Sequence, residues 1–463
     1  MTRHILILSG NLPGLITAYR LIPYGYQVTI LEPHSDFPTG ASTHHPSESN
    51  LYDWPFSPHH LSGQSLPLIL HGFYHSTWSF LQELALEHPL QPFQRVDLEF
   101  GTLGGKTVAL PKAQWQSTLH PLIRLALFSG LSWSDRWHLI NFLEKKWEDP
   151  VPPDHTPDTL TVESWLISAR QSAHAMQGIW NPLCRFFLGC DSTQASLGYF
   201  LEVLSRFWIP KSNGPETFLA VPDMLDHLQQ KLRRVLNAKG VKFLLPQGIT
   251  RIQADADLIQ AIVLANGEHL TADAYVATLS PPDLLSLLPE RAPTRFSSIA
   301  YLAHLQEGSG TAIQCTFNGT RLPPRLILHS GLFDWVTSQT LSNAHEPKSL
   351  VTCVNLKNAS SPAYTDEWLR DTAWPHILDL LNLSPEQLPF SSSKPQVIQA
   401  AYTFLPCQAG SRTFRPLPNT PIRNLFLAGP WTATPLPPCL ESTVVSAYAC
   451  ARALAECAQA SSH

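Results

Sequence analysis

Charge is scarce in this chain. Asp, Glu, Lys and Arg make up only 14% of its 463 residues, against about 25% in an ordinary soluble protein, and Lys and Arg form no run anywhere. With a formal net charge of -5, the lack of a basic stripe excludes nucleic acid as a partner. The eight cysteines include no C-x-x-C pair and no Cys/His cluster at zinc spacing, so no metal site is expected. Reduced, mostly buried thiols in a cytoplasmic protein are the plain reading. No stretch reaches the roughly 18 apolar residues of a membrane span. The longest candidate, Leu122 to Trp133, is broken by Arg124 and Gly130. No apolar signal segment precedes the first strand, so secretion is not expected. Any membrane contact is therefore peripheral, on the inner face.

What the chain does have is apolar mass: 44% hydrophobic residues, 41 Pro and 13 Trp. Its length exceeds the size at which a single core stops growing, so two domains are expected. Little charge with many Trp implies either a large apolar interior or a surface that meets lipid.

Periodicity opens the chain with a strand at Ile5–Leu8, an apolar helix from Leu15 and a second strand from Gln27 to Leu31, ending on Glu32. A loop dense in His, Ser and Pro follows to about Leu66. Its length marks it as functional or disordered. Gly72 to Glu87 and Ser132 to Trp147 read as amphipathic helices. The second carries Trp133, Trp137, Ile140, Leu143 and Trp147 on one face, a stripe expected to pack in a core. A helix at Met224–Lys239, a hairpin turning at Asn266-Gly267 and a strand from Ala272 follow. Residues 298–410 read as mostly strands. A last strand at Asn424–Ala428 and a helix from Glu441 close the chain. Both ends look nucleotide-related, so the expected domains are discontinuous: 1–66, 212–297 and 411–463 form one, 67–211 and 298–410 the other.

Ser9-Gly10-Asn11-Leu12-Pro13-Gly14 stands where a βαβ nucleotide unit has its phosphate turn. Such a turn wants three glycines, and the first two positions hold Ser9 and Asn11. Pro13 suits a first helical turn, where its missing N–H is not needed. Glu32 is placed to accept ribose hydroxyls; a strand-end acid in an unrelated α/β unit is the alternative. The pairs His44-His45 and His59-His60 point to opposite faces of extended chain and make no metal site.

Several distant segments carry a resemblance. Trp180-Asn-Pro-Leu-Cys184, Ala195-Ser196, Phe200 to Leu204, Leu332-Phe-Asp-Trp335, Tyr402-Thr-Phe404, Arg415-Pro416, Leu427-Ala-Gly429, Trp431-Thr432, Leu436-Pro437 and Glu441 resemble the squalene-associated flavin oxidoreductases. These are the hydroxysqualene dehydroxylases, within the phytoene desaturase and flavin amine oxidase superfamily. The resemblance implies an α/β fold in which a Rossmann-like FAD-binding domain is interleaved with a mixed α+β substrate domain. It implies FAD as cofactor, held by Ser9, Gly10, Asn11, Pro13, Gly14, Glu32, Gly40, Ala41, Ser42, Gly429, Pro430, Trp431, Leu436 and Glu441. It also implies an apolar isoprenoid as substrate, with hydroxysqualene reduced to squalene.

This chain departs from that pattern at five places. Pro430 replaces the Asp that would contact the ribityl chain, and Pro435 and Ser442 replace glycines. Pro38-Thr-Gly-Ala-Ser42 stands where the family has Gly-Gly-Arg, and Gln64-Ser-Leu-Pro-Leu68 stands where it has Asp-Asn-Gly-Gln-His. At about 1.5–3 kcal/mol per lost charge-assisted contact, five independent losses would cost about 7 kcal/mol or more, roughly 10⁵ in affinity. A flavin-free relative that binds isoprenoid or scaffolds a partner enzyme is therefore the alternative reading. Carotenoid desaturation and amine oxidation fit the middle segments less well. No proton donor stands out: Glu441 reads as a helix-end group and Asp334 as a turn or surface acid. The stretch Leu119–Leu131, with Leu125 and Phe128, is either a lipid-facing patch or a buried helix.

Overall fold

The computed structural model describes residues 3–32, 57–58, 67–84, 93–101, 107–109, 126–148, 158–208, 216–221, 224–245, 248–255, 257–319, 321–341, 348–356, 365–383 and 396–460. A five-stranded parallel sheet joins chain segments far apart in sequence. Its strands are β1 (His4–Ile7), β2 (Gln27–Leu31), β3 (Lys242–Leu244), β4 (Ala274–Ala277) and β5 (Leu425–Leu427), in the order β5-β4-β1-β2-β3. All are short, and β1, β2, β4 and β5 are mostly buried and apolar, as expected for parallel strands covered on both faces, whereas β3 at the edge has Lys242 and Leu244 exposed. β1 lies centrally, Ile7 pairing with Ile30 on one side and Val276 on the other.

Four helices place the candidate site. α1 (Leu12–Leu21) follows β1, with Asn11 as N-cap and Pro13 in its first turn. α2 (His75–Glu83) packs against the last helix of the chain. α3 (Met224–Ala238) buries Leu228, Leu232 and Leu236, an i, i+4, i+8 stripe against the sheet domain. α4 (Leu440–Ala460) buries Val444, Ala447 and Ala451 and packs along α1. Small residues on α4 permit this close approach.

The second architectural unit is an eight-stranded mixed sheet. Its long antiparallel centre is Gln396–Phe404, Gly308–Asn318, Lys348–Asn355 and Trp335–Leu341. A three-stranded sheet (Ile69–His71, Thr217–Ala220, Phe93–Val96) flanks it. The hairpin turn at Asn266-Gly267 forms with Gly267 at φ +81°, where glycine is favoured. The architecture is the expected α/β one, a Rossmann-like sheet interleaved with a mixed α+β unit. All eight cysteines are free, and only Cys457 is exposed.

One expectation is corrected, and one open alternative is decided at a single residue. On the helix Trp133–Glu148 the Trp pair faces outward, Trp133 being 67% and Trp137 55% exposed, while Leu139 is buried instead. Phe128 is not lipid-facing: it is buried against Phe100, and its neighbour Leu127 is the exposed one at 68%. Leu125 lies outside the described residues. Among the described residues no helix is long and apolar enough to cross a membrane, and no cluster of His, Cys, Asp and Glu forms a metal site.

Candidate functional site

The turn after β1 is closed on itself. The Gly10 N–H donates to the Leu31 carbonyl at 2.8 Å, and the Gly14 N–H donates to Asn11 Oδ1 at 3.2 Å. Pro13 has no N–H to offer. Asn11 Nδ2 donates to the Thr278 carbonyl at 2.7 Å, and Thr278 Oγ1 donates to the Ser9 carbonyl at 3.2 Å. A helix N-terminus attracts an anion because its first amides are unpaired; here the Gly14 amide is engaged by the N-cap side chain, and the Gly10 amide, just before the helix, is engaged by β2. Gly14 cannot be another residue, since a Cβ would sit 2.1 Å from the Ser9 carbonyl oxygen. Ser9 Oγ is buried without a partner.

Glu32 stands at the end of β2, as the sequence places it, but its carboxylate is taken. Arg233, on α3, donates from Nε to one Glu32 oxygen at 2.9 Å and from a terminal nitrogen to the other at 3.2 Å. The same terminal nitrogen donates to the Gly10 carbonyl at 2.7 Å, and the other reaches Gln229 at 3.2 Å. The Glu32 carboxylate leans over Gly10, where a Cβ would meet it at 2.7 Å. Sequence reasoning missed Arg233. The 229–233 spacing of a polar pair on one helical face is visible in the sequence, but its partner lies 201 residues away.

At the other end, Gly429 donates to Ser446 Oγ at 2.9 Å, and Trp431 packs edge-on above it, within 2.6 Å of where a Cβ would be. Trp431 is fully buried with its indole N–H unpartnered. Pro430 supplies only its carbonyl, which accepts from Arg415 at 3.5 Å. Arg415 is itself buried, its guanidinium 4.8 Å from the centre of the Tyr199 ring and its Nε without a partner. Ser442 donates to the carbonyls of Leu436 (3.2 Å) and Pro437 (2.6 Å), pinning the loop before α4. Gly40, Ala41, Ser42 and both His pairs lie outside the described residues.

Glu441 is buried and caps α2. One oxygen accepts from the Ser76 N–H at 3.0 Å, the other from the N–H and hydroxyl of Thr77, both at 2.8 Å. A carboxylate on the first amides of a helix is a favourable arrangement, and it ties the start of α4 to α2. Asp334 is not a surface acid. It is 2% exposed, pairs with Arg185 at 3.3 Å and accepts from the Leu356 N–H at 2.6 Å.

Beside His71 lies a small, largely apolar cavity of about 40 Å³. Ile69, Phe73, Phe187 and Val203 line one side, Trp335 and Leu436 another. Among the described residues no Asp, Glu, Lys or Arg lines it. His71 sits in its wall, ringed by Phe73, Tyr74, Phe186, Phe187 and Phe207, with Thr217 Oγ1 at 3.1 Å from Nδ1. Burial drags its pKa down to about 3, so it is neutral at ordinary pH. Burial likewise pushes the Tyr74 phenol and the Cys439 thiol above their usual ranges. The described lining residues carry no charge and no group that readily gives up a proton at pH 7.

The described residues therefore do not fit FAD held as the resemblance implies. The ribose acceptor is ion-paired, two turn amides are used, and Pro430 offers no side-chain contact. Ser9 Oγ and Trp431 Nε1 are buried side-chain atoms without a partner at these positions.

Comparison with known proteins gives the chain its lineage. It is 25% identical over 328 residues to the protein named probable zeta-carotene desaturase of Synechococcus elongatus, covering 65% of this chain and 67% of that one. It is 22% identical over 268 residues to hydroxysqualene dehydroxylase of Sinorhizobium fredii, covering 57% and 59%. Other matched desaturases are covered over as little as about half their length, 53% in one case. Among solved structures, cyclohexylamine oxidase of Brevibacterium oxydans superposes with a TM-score of 0.61 at 16% identity, over 99% of this chain and all of that one. A model of the family described as flavin containing amine oxidoreductase matches residues 12–455. The chain belongs to that family, the FAD-type oxidoreductases of the amine oxidase superfamily, and its membership implies descent from proteins with a flavin cofactor.

Proposed function

We propose that this protein takes an uncharged isoprenoid at the largely apolar cavity beside His71, as a relative of the squalene-associated oxidoreductases that has given up tight FAD binding. One observation carries this reading: among the described residues the cavity lining is mostly apolar, and its ionisable groups, His71, Tyr74 and Cys439, are held neutral by burial. A charged or strongly polar ligand would lose its hydration there without compensation. A chain of methyl-branched alkene units would not. The exposed Leu127, Trp133 and Trp137 support a peripheral contact with lipid, from which such a ligand would be drawn.

A second reading keeps the chemistry: FAD-dependent reduction of hydroxysqualene to squalene. The unpartnered Ser9 Oγ and Trp431 Nε1 favour it, because buried polar atoms usually have partners. The proton needed by the leaving hydroxyl has no donor among the described lining residues, which counts against it. The absorbance spectrum of the purified protein, an FAD titration and binding of squalene and hydroxysqualene separate the two. Saturable squalene binding by a colourless protein that ignores FAD supports the first. Flavin bands with turnover of hydroxysqualene establish the second. Absence of any squalene binding sinks the first reading.

A further inference from the structure

We infer that Arg233 is a built-in occupant of the ribose end of the nucleotide site, and that the Arg233–Glu32 ion pair excludes adenine dinucleotides from this chain. A ribose recognised here would need the Glu32 oxygens as acceptors for its hydroxyls. Both oxygens already accept from one guanidinium, at 2.9 and 3.2 Å. The fork geometry of Arg against a carboxylate makes this a stronger partnership than a neutral hydroxyl provides.

Three further features hold the arrangement. The guanidinium also donates to the Gly10 carbonyl at 2.7 Å, tying α3 to the turn itself. Gln229, one helical turn earlier, takes the remaining arm at 3.2 Å. The pair is substantially shielded, with the Glu32 side chain 16% and the Arg233 side chain 33% exposed. An entering nucleotide would have to break these bonds and leave the guanidinium to find another anion. Its pyrophosphate could not be rewarded by the Gly10 and Gly14 amides, which donate to Leu31 and Asn11, nor by Pro13.

The test uses ADP, which carries the ribose and pyrophosphate but neither flavin ring nor lipid, so its result is independent of isoprenoid binding. Calorimetric titration of the full chain is compared for wild type, Arg233→Ser and Arg233→Gln, each first checked for an unchanged circular dichroism spectrum. Wild type is expected to show no saturation up to about 1 mM, whereas the substitutions tighten ADP binding by about 10-fold or more. FAD should follow the same order. Micromolar ADP or FAD binding by wild type overturns the inference. So does a folded substitution that gains nothing, and so does one that loses affinity, which would make Arg233 a phosphate ligand. Arg233→Gln retains a donor for Gly10 and keeps the test available where Arg233→Ser fails to fold.

Discussion

Acid should destabilise this protein through His71, and the size of the effect follows from its surroundings. The ring is fully enclosed by aromatic neighbours and makes one hydrogen bond, to Thr217, which leaves an added proton without an anion. Its folded pKa of about 3 lies below the unfolded value of 6.5. Between those values the unfolded chain takes a proton that the native state refuses, so stability is full above about pH 6.5 and falls as pH drops toward 3. At about 1.36 kcal/mol per pH unit, the loss on moving from pH 6.5 to pH 5 is about 2 kcal/mol. Other groups also titrate in this range, so the measurement is a difference. Urea unfolding of wild type and of the double variant His71→Phe with Thr217→Val is followed at pH 7.5 and pH 5. The double variant removes the imidazole and its hydroxyl partner together, leaving no polar orphan. Its acid-induced loss should be smaller than that of wild type by about 2 kcal/mol. Equal losses would refute the reasoning and mean that the cavity wall is hydrated and His71 titrates normally.

Three other outcomes are expected. Glu441→Ala should cost about 2–4 kcal/mol in thermal or urea unfolding, because three donors of α2 lose a buried carboxylate; a loss below 1 kcal/mol would show that water replaces it. Gly14→Ala should yield little folded protein, since the 2.1 Å approach to a backbone oxygen cannot relax; a soluble variant with unchanged melting would contradict the packing described. Replacing Trp133 and Trp137 together by Ser should reduce co-sedimentation with anionic vesicles while leaving the melting temperature nearly unchanged, as both are largely exposed. Unchanged vesicle binding would remove the lipid contact from the proposal.

The nucleotide-type unit was legible because its signals are local: an apolar strand, a helix with Asn11 and Pro13 at its start, a second strand ending on Glu32. Each element forms from neighbours in sequence. What fills the site was not legible, because Arg233 meets Glu32 only once α3 is laid across the sheet. The helix Trp133–Glu148 shows another limit. Its Trp stripe is periodic, but periodicity defines a face without saying which way it turns, and Leu139 rather than the Trp pair is buried there. Asp334 looked like a turn acid because its partner Arg185 lies 149 residues earlier and nothing near it in sequence offers a counter-charge. Glu441 reads as a helix-end group, and it is one, though the helix it caps is α2 and not its own.

The parallel sheet also sets a timetable for synthesis. Ile7 of β1 must wait for Val276 of β4 before its second edge is covered, and β4 in turn waits for Phe426 of β5. At about 5–20 residues per second on the ribosome, the first interval lasts roughly 15–50 seconds. Through that time a nascent chain carries an apolar strand with an open hydrogen-bonding edge, which invites pairing with other chains. Production of this protein should therefore be limited less by its final stability than by how few half-made copies meet, and slow, dilute expression should raise the soluble yield.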